Sequence, residues 1–160
     1  MADAPSRPVP YMERTRRYYE AQAFDKAYVW AHFPEVPFIP LEKPLEVSTL
    51  ALITTASLYD RTPMDPREVT SGSTLEPPVR LFANDLSWDK NATHLEDLNS
   101  YFPIEHLKDL VASGRLGGLA ERFHCAPTSY SQRQTLATDA PEILRRCRED
   151  GVDIVLLVPL

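Results

Sequence analysis

The chain has 160 residues, with 17 basic and 23 acidic side chains and a formal net charge of −6. This length suits one domain with a single hydrophobic core, and 43% apolar with 25% charged residues is typical of globular proteins. The acidic balance argues against a nucleic-acid partner, and no apolar run is long enough to cross a membrane. Because the first 30 residues hold no signal-peptide core and two cysteines cannot form a disulfide framework, we expect a cytoplasmic protein with reduced thiols.

The N-terminal region is predicted to contain a helix and an extended arm. The segment YMERTRRYYEAQAF after Pro10 has helical periodicity, and its aromatic face is expected to pack on the body of the protein. That face carries Tyr11, Tyr18 and Tyr19. Residues 33–46 hold four prolines, which exclude a helix or central strand and predict a Pro-rich extended arm that docks within the chain or on a partner subunit. We therefore assign residues 1–46 to the N-terminal helix and arm, and 47–160 to an α/β domain.

The first strand signal is the apolar run STLALITTASLYD over residues 48–60, whose pattern is typical of a strand buried on both faces. It contains small hydroxylated residues at the point where α/β folds bind ligands, beyond the carboxyl end of the strand. Residues 60–78 contain four prolines and no periodicity, so they are predicted to form a loop of a length that is usually functional. Residues 79–85, VRLFAND, predict a second strand, and a second long loop is expected after it.

The middle of the chain predicts one clear helix between less regular segments. Residues 102–114 have an apolar stripe, a proline near the start and Gly114 as the C-terminal stop. A short strand or turn is expected near residues 119–123. The polar segment TSYSQRQTLAT, residues 128–138, is predicted to be a loop.

The last unit is a helix followed by an apolar strand. Asp139 and Glu142 resemble a capping box at the start of the helix, and Gly151 is expected to end it. Residues 154–158, IVLLV, then predict a strand. Alternation of buried strands and helices predicts an α/β fold with a parallel sheet and right-handed crossovers. Because no helix follows this strand in the sequence, one of its faces is expected to need another chain.

Few residues could carry chemistry. The four histidines lack metal-ligand spacing and no nucleotide-binding glycine motif occurs, so we expect no metal ion and no cofactor. His124 and Cys125 are the catalytic candidates, as an adjacent base and nucleophile, although adjacent side chains often point apart and a structural pair is the alternative. Cys147 lies on the apolar stripe of the last helix and is predicted to be core, and Gly117-Gly118 is predicted to be a turn.

Polar and aromatic residues near the predicted strand ends are candidates for binding a small molecule. The substrate-binding candidates are Thr55, Arg80, Asp85, Trp88, Asp89 and Tyr130. The Trp88-Asp89 pair could contact a ligand or could form a capped turn around a packed tryptophan, and both interpretations stay open. An alternative is a non-redox small-molecule-binding or hydrolytic domain that uses Asp85, Trp88, Asp89, His124 and Tyr130 around the strand ends.

Several segments resemble the selenoprotein B family, which comprises the B-type subunits of the glycine, sarcosine, betaine and D-proline reductases. They are TLALITTASLY, Arg80, Trp88-Asp89, DLNSYFPIEHLKDLVASG and DAPEILRRCREDGVDIVLL. The resemblance runs from about residue 47 to the end, and the N-terminal YMERTRRYYE and AHFPEVPFIPLEKPL are similar to non-clostridial members. Its most specific parts are Phe102-Pro103-Ile104, Gly114, Pro141-Glu142-Ile143 and Asp150-Gly151-Val152-Asp153.

The resemblance implies a flavodoxin-like domain of an oxidoreductase that reductively cleaves a carbon–nitrogen bond in a small amino-acid-like or amine substrate, with a dithiol/disulfide couple. In that family a U/C-x-x-C motif follows the strand that matches Ile154–Val158, whereas this sequence ends at Leu160 without it. A segment that often holds a histidine in the family reads Asn84-Asp85-Leu86-Ser87 here. The alternative is a catalytically silent subunit or small-molecule-binding domain that completes its sheet with a partner chain, as a homo-oligomer or hetero-complex.

Overall fold

The computed structural model describes residues 10–24, 26, 29, 32–36, 39–62, 64–83, 94–129 and 131–160. The chain divides into two units after residue 38. In the first unit, helix α1 spans Tyr11–Ala21, as its periodicity predicts, and Glu13 forms ion pairs with arginines one turn later. None of its residues is buried, so the predicted packing of the aromatic face is not confirmed.

The described part of the Pro-rich segment does not bury its apolar side chains. Phe33, Val36, Ile39 and Leu41 are all exposed, and Phe38 lies outside the described residues. Docking of this arm is therefore not confirmed. The segment ends in a 3₁₀ turn, Leu45–Val47, which leads directly into the sheet.

A single mixed, mostly parallel sheet forms the centre of the second unit. Its strands within the described residues are β1 Thr49–Thr54, β2 Thr70–Ser73, β3 Gly118–Leu119, β4 Arg122–Cys125 and β5 Ile154–Val158. Strand β5 pairs in parallel with β1 from Leu50 to Thr54. Strands β3 and β4 pair in parallel with the two ends of β1, so they act as one interrupted strand along its other edge. Strand β2 is antiparallel to β4, which leaves β2 and β5 at the two edges of the sheet.

Helices cover both faces of the sheet. Helix α2, Ile104–Ala112, contributes to one apolar cluster with Leu52 of β1, and helix α4, Ala140–Glu149, places Cys147 in a second cluster with Ala51. Because successive residues of a strand point to opposite faces, α2 and α4 lie on opposite sides of the sheet. The predicted α/β class and the core position of Cys147 are thereby confirmed.

Both predicted helix stops are confirmed. Gly114 and Gly151 follow α2 and α4 with φ angles of +69° and +65°, in the left-handed region that favours glycine. Within the described residues, no helix combines the length and the apolar character needed to span a membrane.

The predictions for residues 60–78 and 79–85 are wrong in part. The first range, predicted to be a loop, contains β2, which pairs along its whole length with β4. Its sequence TSGS has no apolar alternation, so only the partner strand reveals it. The second range, predicted to be a strand, contributes only an isolated bridge between Phe82 and Ser57, and residues 84 and 85 lie outside the described part.

The predicted loop at residues 128–138 is largely helical. A short α-helical turn α3, Gln132–Gln134, continues through a π-helical segment, Thr135–Asp139, into α4. Pro141 lies near the junction. Because proline lacks an N–H and crowds the carbonyl four residues earlier, we attribute the wide π turn to it.

The predicted capping box at Asp139 is wrong because the helix begins earlier. Asp139 has helical backbone angles and makes no capping bond, and its carboxyl group is buried instead. Ser131 is the N-cap, and its Oγ accepts a hydrogen bond from the backbone N–H of Gln134 at 3.3 Å. Glu142 pairs with arginines of the following turn.

Candidate functional site

A cavity of about 320 Å³ opens where β1 and β4 end. These strands are parallel neighbours, paired at Ile53 with His124 and at Thr54 with Cys125, so their carboxyl ends meet at one edge of the sheet. After β1 the chain runs through a loop to β2 in the same sheet, and after β4 it runs to α3 and α4. The cavity thus lies outside the carboxyl ends of two parallel strands, which is the side of open α/β sheets that binds ligands.

The cavity walls combine hydroxyl, charged and apolar groups. The hydroxyl groups come from Thr55, Ser57, Thr62, Thr70 and Thr128. The charged groups come from the loop between β1 and β2: Arg61, Asp65, Arg67 and Glu68. Phe82 and Cys125 contribute an aromatic ring and a thiol. Such a mixture suits a polar molecule with a flat or apolar part.

Hydrogen bonds within the loop fix two of its charged side chains. Asp65 accepts from the backbone N–H of Thr62 at 2.7 Å and from its hydroxyl at 3.1 Å, and these bonds lower the pKa of Asp65. Arg61 donates to the carbonyl of Pro66 at 2.7 Å. Arg67, in contrast, is exposed and makes no hydrogen bond or ion pair with the described residues. Arg67 is therefore a cationic group of the cavity that is open to a ligand.

Thr55, predicted to bind substrate, is the first residue after β1 and lines the cavity. Its Oγ1 accepts a hydrogen bond from the backbone N–H of Leu160 at 2.8 Å. Because β5 is parallel to β1, this bond brings the segment after β5 to the same edge of the sheet. The carboxyl ends of β1, β4 and β5 therefore lie at the edge of the sheet where Thr55 is located.

The other predicted substrate-binding residues divide into two groups. Arg80 is exposed and is not a lining residue, but its guanidinium lies 4.4 Å from the ring centroid of Phe82, which is one. The remaining four lie outside the described residues: Asp85, Trp88, Asp89 and Tyr130.

His124 is fully buried and belongs to a hydrogen-bonded chain on the α4 face of the sheet. Arg146 donates to Ser71 Oγ at 2.8 Å, and Ser71 Oγ lies 2.8 Å from His124 Nδ1. The Ser71 oxygen accepts from Arg146 and has a second lone pair as well as a hydroxyl hydrogen, so the Ser71–His124 hydrogen bond is compatible with either neutral tautomer of the ring. Burial and then the charge of Arg122 lower the pKa of His124, so the ring is neutral at pH 7. Its buried Nε2 has no hydrogen-bond partner among the described residues.

Cys125 points away from His124. It belongs to the apolar cluster of Leu52 and Phe123, on the α2 face, because adjacent strand residues alternate between faces. Burial raises the pKa of the Cys125 thiol to about 11, partly offset by a hydrogen bond to Thr70. The structure therefore does not assemble these two residues into a base–nucleophile pair, and their directions match the structural alternative.

Sequence reasoning did not select the charged residues of the cavity. Arg61, Asp65, Arg67 and Glu68 lie in the range whose length and prolines indicated function, but no motif marks them individually. Their position beside β1 and β4 depends on the path of the chain in three dimensions. In the described ranges, no group of three or more His, Cys, Asp or Glu side chains is arranged to hold a metal ion.

The resemblance to the selenoprotein B family stays a prediction. A scan against protein-family models and searches of curated proteins and of solved structures found no match.

Proposed function

We propose that the chain is a flavodoxin-like α/β domain that binds a small anionic molecule in the cavity at the ends of β1 and β4. The strand order supports this fold. We count β3 and β4 together as the second parallel strand, with β1 as the first and β5 as the third. Their order across the sheet is then 2-1-3, which is how the flavodoxin-like order 2-1-3-4-5 begins. The position of the cavity outside the carboxyl ends of β1 and β4 is the single observation that carries the binding function.

The lining holds two guanidinium groups and two carboxylates, those of Asp65 and Glu68, and the preference for an anionic ligand rests on Arg67. The carboxylate of Asp65 is already engaged by Thr62, whereas Arg67 is exposed without a partner among the described residues. Arg61 brings a second guanidinium to the same cavity, and this group already donates to the carbonyl of Pro66. Guanidinium groups bind carboxylates and phosphates through charge-assisted hydrogen bonds, and the neighbouring hydroxyl groups can donate further bonds. The ring of Phe82 would contact the less polar part of the ligand.

Arg67→Ala tests this function. Ligand-observed NMR with a panel of small carboxylates and phosphates should identify a compound that binds the wild type. We expect Arg67→Ala to weaken its binding at least about 10-fold, because a hydrogen bond to a charged group contributes about 1.5–3 kcal/mol. Arg115→Ala is the matched control, since Arg115 is exposed beyond α2 and makes no ion pair with the described residues. Equal affinities of the wild type and Arg67→Ala would contradict the proposal.

A second candidate is the reductive carbon–nitrogen bond cleavage that the family resemblance implies. The observation that favours it is the presence of the Cys125 thiol in the wall of the cavity. The pKa of about 11 opposes it, since only about one thiol in ten thousand would be ionised at pH 7. A bound substrate or partner would have to lower this pKa before the thiol could act as a nucleophile.

Cys125→Ser decides between the two candidates. If Cys125 is the nucleophile, dithiol-dependent turnover of an amino-acid-like or amine substrate should disappear in Cys125→Ser. Below the pKa of about 11, kcat/KM of the wild type should then rise about tenfold per pH unit, because it reports the thiolate fraction of the free protein. Cys147→Ser, on the other face of the sheet, is the control. Unchanged turnover in Cys125→Ser would remove the reductase candidate and leave the binding function intact.

A further inference from the structure

We propose that the chain forms a two-fold symmetric dimer in which β5 pairs antiparallel with β5 of a second copy, so that one sheet extends through both chains. The surface is separate from the cavity lining. It consists of the outer edge of β5, the side chains of Val155 and Leu157, and the adjacent side of α4.

Within the part of the chain that the structure describes, the outer edge of β5 has no strand partner. One edge of the strand pairs with β1 along all five residues, and no described residue pairs with the other edge. The strand Ile154–Val158 contains no charge, no proline and no bulge, which are the features that normally prevent pairing of edge strands. Strand β2, at the opposite edge, has only four residues and the polar sequence TSGS. The two edges therefore differ, and β5 is the one edge strand among the described residues that offers a long apolar pairing site.

An uncovered apolar surface borders this edge. Val155 and Leu157 are 47% and 58% exposed, and they lie on the face that α4 only partly covers. Leu144 of α4 is 49% exposed beside them. Between strand and helix runs a groove of about 360 Å³, whose walls include Ile53 and Ile143. On the other face, the remaining β5 side chains pack on the main core, so the exposure is confined to one side.

A second copy of the same chain fits this surface. Antiparallel pairing about Leu156 places Ile154 opposite the Val158 of the second copy, and Val155 opposite its Leu157. All of these cross-strand pairs are aliphatic and are of the kind that stabilises antiparallel sheets. In the joined sheet, Val155 and Leu157 of both chains would form one apolar strip between the two α4 helices, and both Leu144 side chains would border it.

The charges of α4 are compatible with self-association. Its exposed or half-buried charged residues carry both signs: Glu142, Arg145, Arg146, Arg148 and Glu149. Two antiparallel copies of α4 can therefore approach each other without placing a surface of one charge sign against another of the same sign. This holds although each chain has a net charge of −6. Symmetric, isologous contact of this kind is the commonest arrangement among protein dimers.

Sedimentation velocity on the full chain tests the dimer. We expect the wild type to be mainly dimeric at about 200 μM, where a dimer with a micromolar Kd is the main species. Leu157→Lys should weaken association at least about 100-fold, because it places a charge in the apolar strip of each copy. Val155→Lys should have the same effect. Val79→Lys makes the same change at a residue that is 92% exposed outside this surface, and it should remain dimeric.

Hydrogen exchange identifies the contact. In the wild type, amides of residues 154–158 should exchange more slowly at high than at low protein concentration, because the dimer covers the open edge. In Leu157→Lys, the exchange rates of the same amides should not depend on protein concentration. Circular dichroism verifies that the lysine variants are folded. A wild type that stays monomeric at about 200 μM overturns the proposal. So does a dimer that survives both lysine substitutions in folded protein, or one whose β5 amides exchange independently of concentration.

Discussion

Replacing Phe123 with alanine is expected to lower the free energy of unfolding by about 3–5 kcal/mol. Phe123 is fully buried at the centre of the larger apolar cluster, and its ring centroid lies 4.5 Å from that of Phe102. The missing side chain of Gly72 leaves space for the ring, since a Cβ there would lie 2.5 Å from it. The backbone of β2 at Gly72 on one side and α2 on the other would limit how far neighbouring residues can move into the cavity that alanine would leave.

Urea unfolding followed by circular dichroism measures this loss. Phe33→Ala is the control, since Phe33 is 62% exposed and its truncation should change the free energy of unfolding by less than about 0.5 kcal/mol. A loss below about 1 kcal/mol in Phe123→Ala would show that the site is open or repacks, which would contradict a closed core between β4 and α2.

The elements that could be predicted are those whose signal is local. Strands β1 and β5 are apolar runs, and α1 and α2 have an apolar stripe, so their existence can be read from neighbouring residues alone. Strand β2 could not be predicted, because TSGS becomes a strand only when β4 supplies its partner. The misread start of the last helix has a similar origin. Asp139 and Pro141 normally mark a helix start, but here a π turn lets the helix begin at Gln132.

The candidate site could be predicted only where its signal is local in the sequence. Thr55 followed from the rule that ligands bind beyond the carboxyl ends of strands, which needs only the position of β1. Arg61 and Arg67 could not be predicted, since nothing in the sequence states that their loop folds back over β4. His124 and Cys125 are neighbours on a strand, where successive side chains face opposite sides, so their adjacency in sequence does not place the two side chains together.

Gly117→Ala should destabilise the protein by about 3 kcal/mol or more, the upper end of the cost of overpacking. A Cβ at Gly117 would lie 2.6 Å from both the backbone N of Ser48 and the carbonyl carbon of Val47. Neither atom can move independently, because Gly117 N–H donates to the carbonyl of Leu45 at 3.0 Å and Ser48 leads directly into β1. The turn predicted at Gly117-Gly118 is wrong, since Gly118 begins β3 and Gly117 lies where two backbones approach closely at the start of the parallel sheet.

Gly118→Ala separates this clash from the general effect of replacing a glycine. A Cβ at Gly118 meets no heavy atom within 4 Å, and its φ is not left-handed. Alanine there should leave the free energy of unfolding unchanged or raise it by about 0.4–1 kcal/mol, since it restricts the unfolded chain. Urea unfolding of the two variants under one set of conditions gives the comparison. A similar loss of unfolding free energy in both variants would mean that backbone flexibility, not the contact with residues 47–48, makes glycine necessary. A loss confined to Gly117→Ala identifies the backbone contact that holds β3 beside β1.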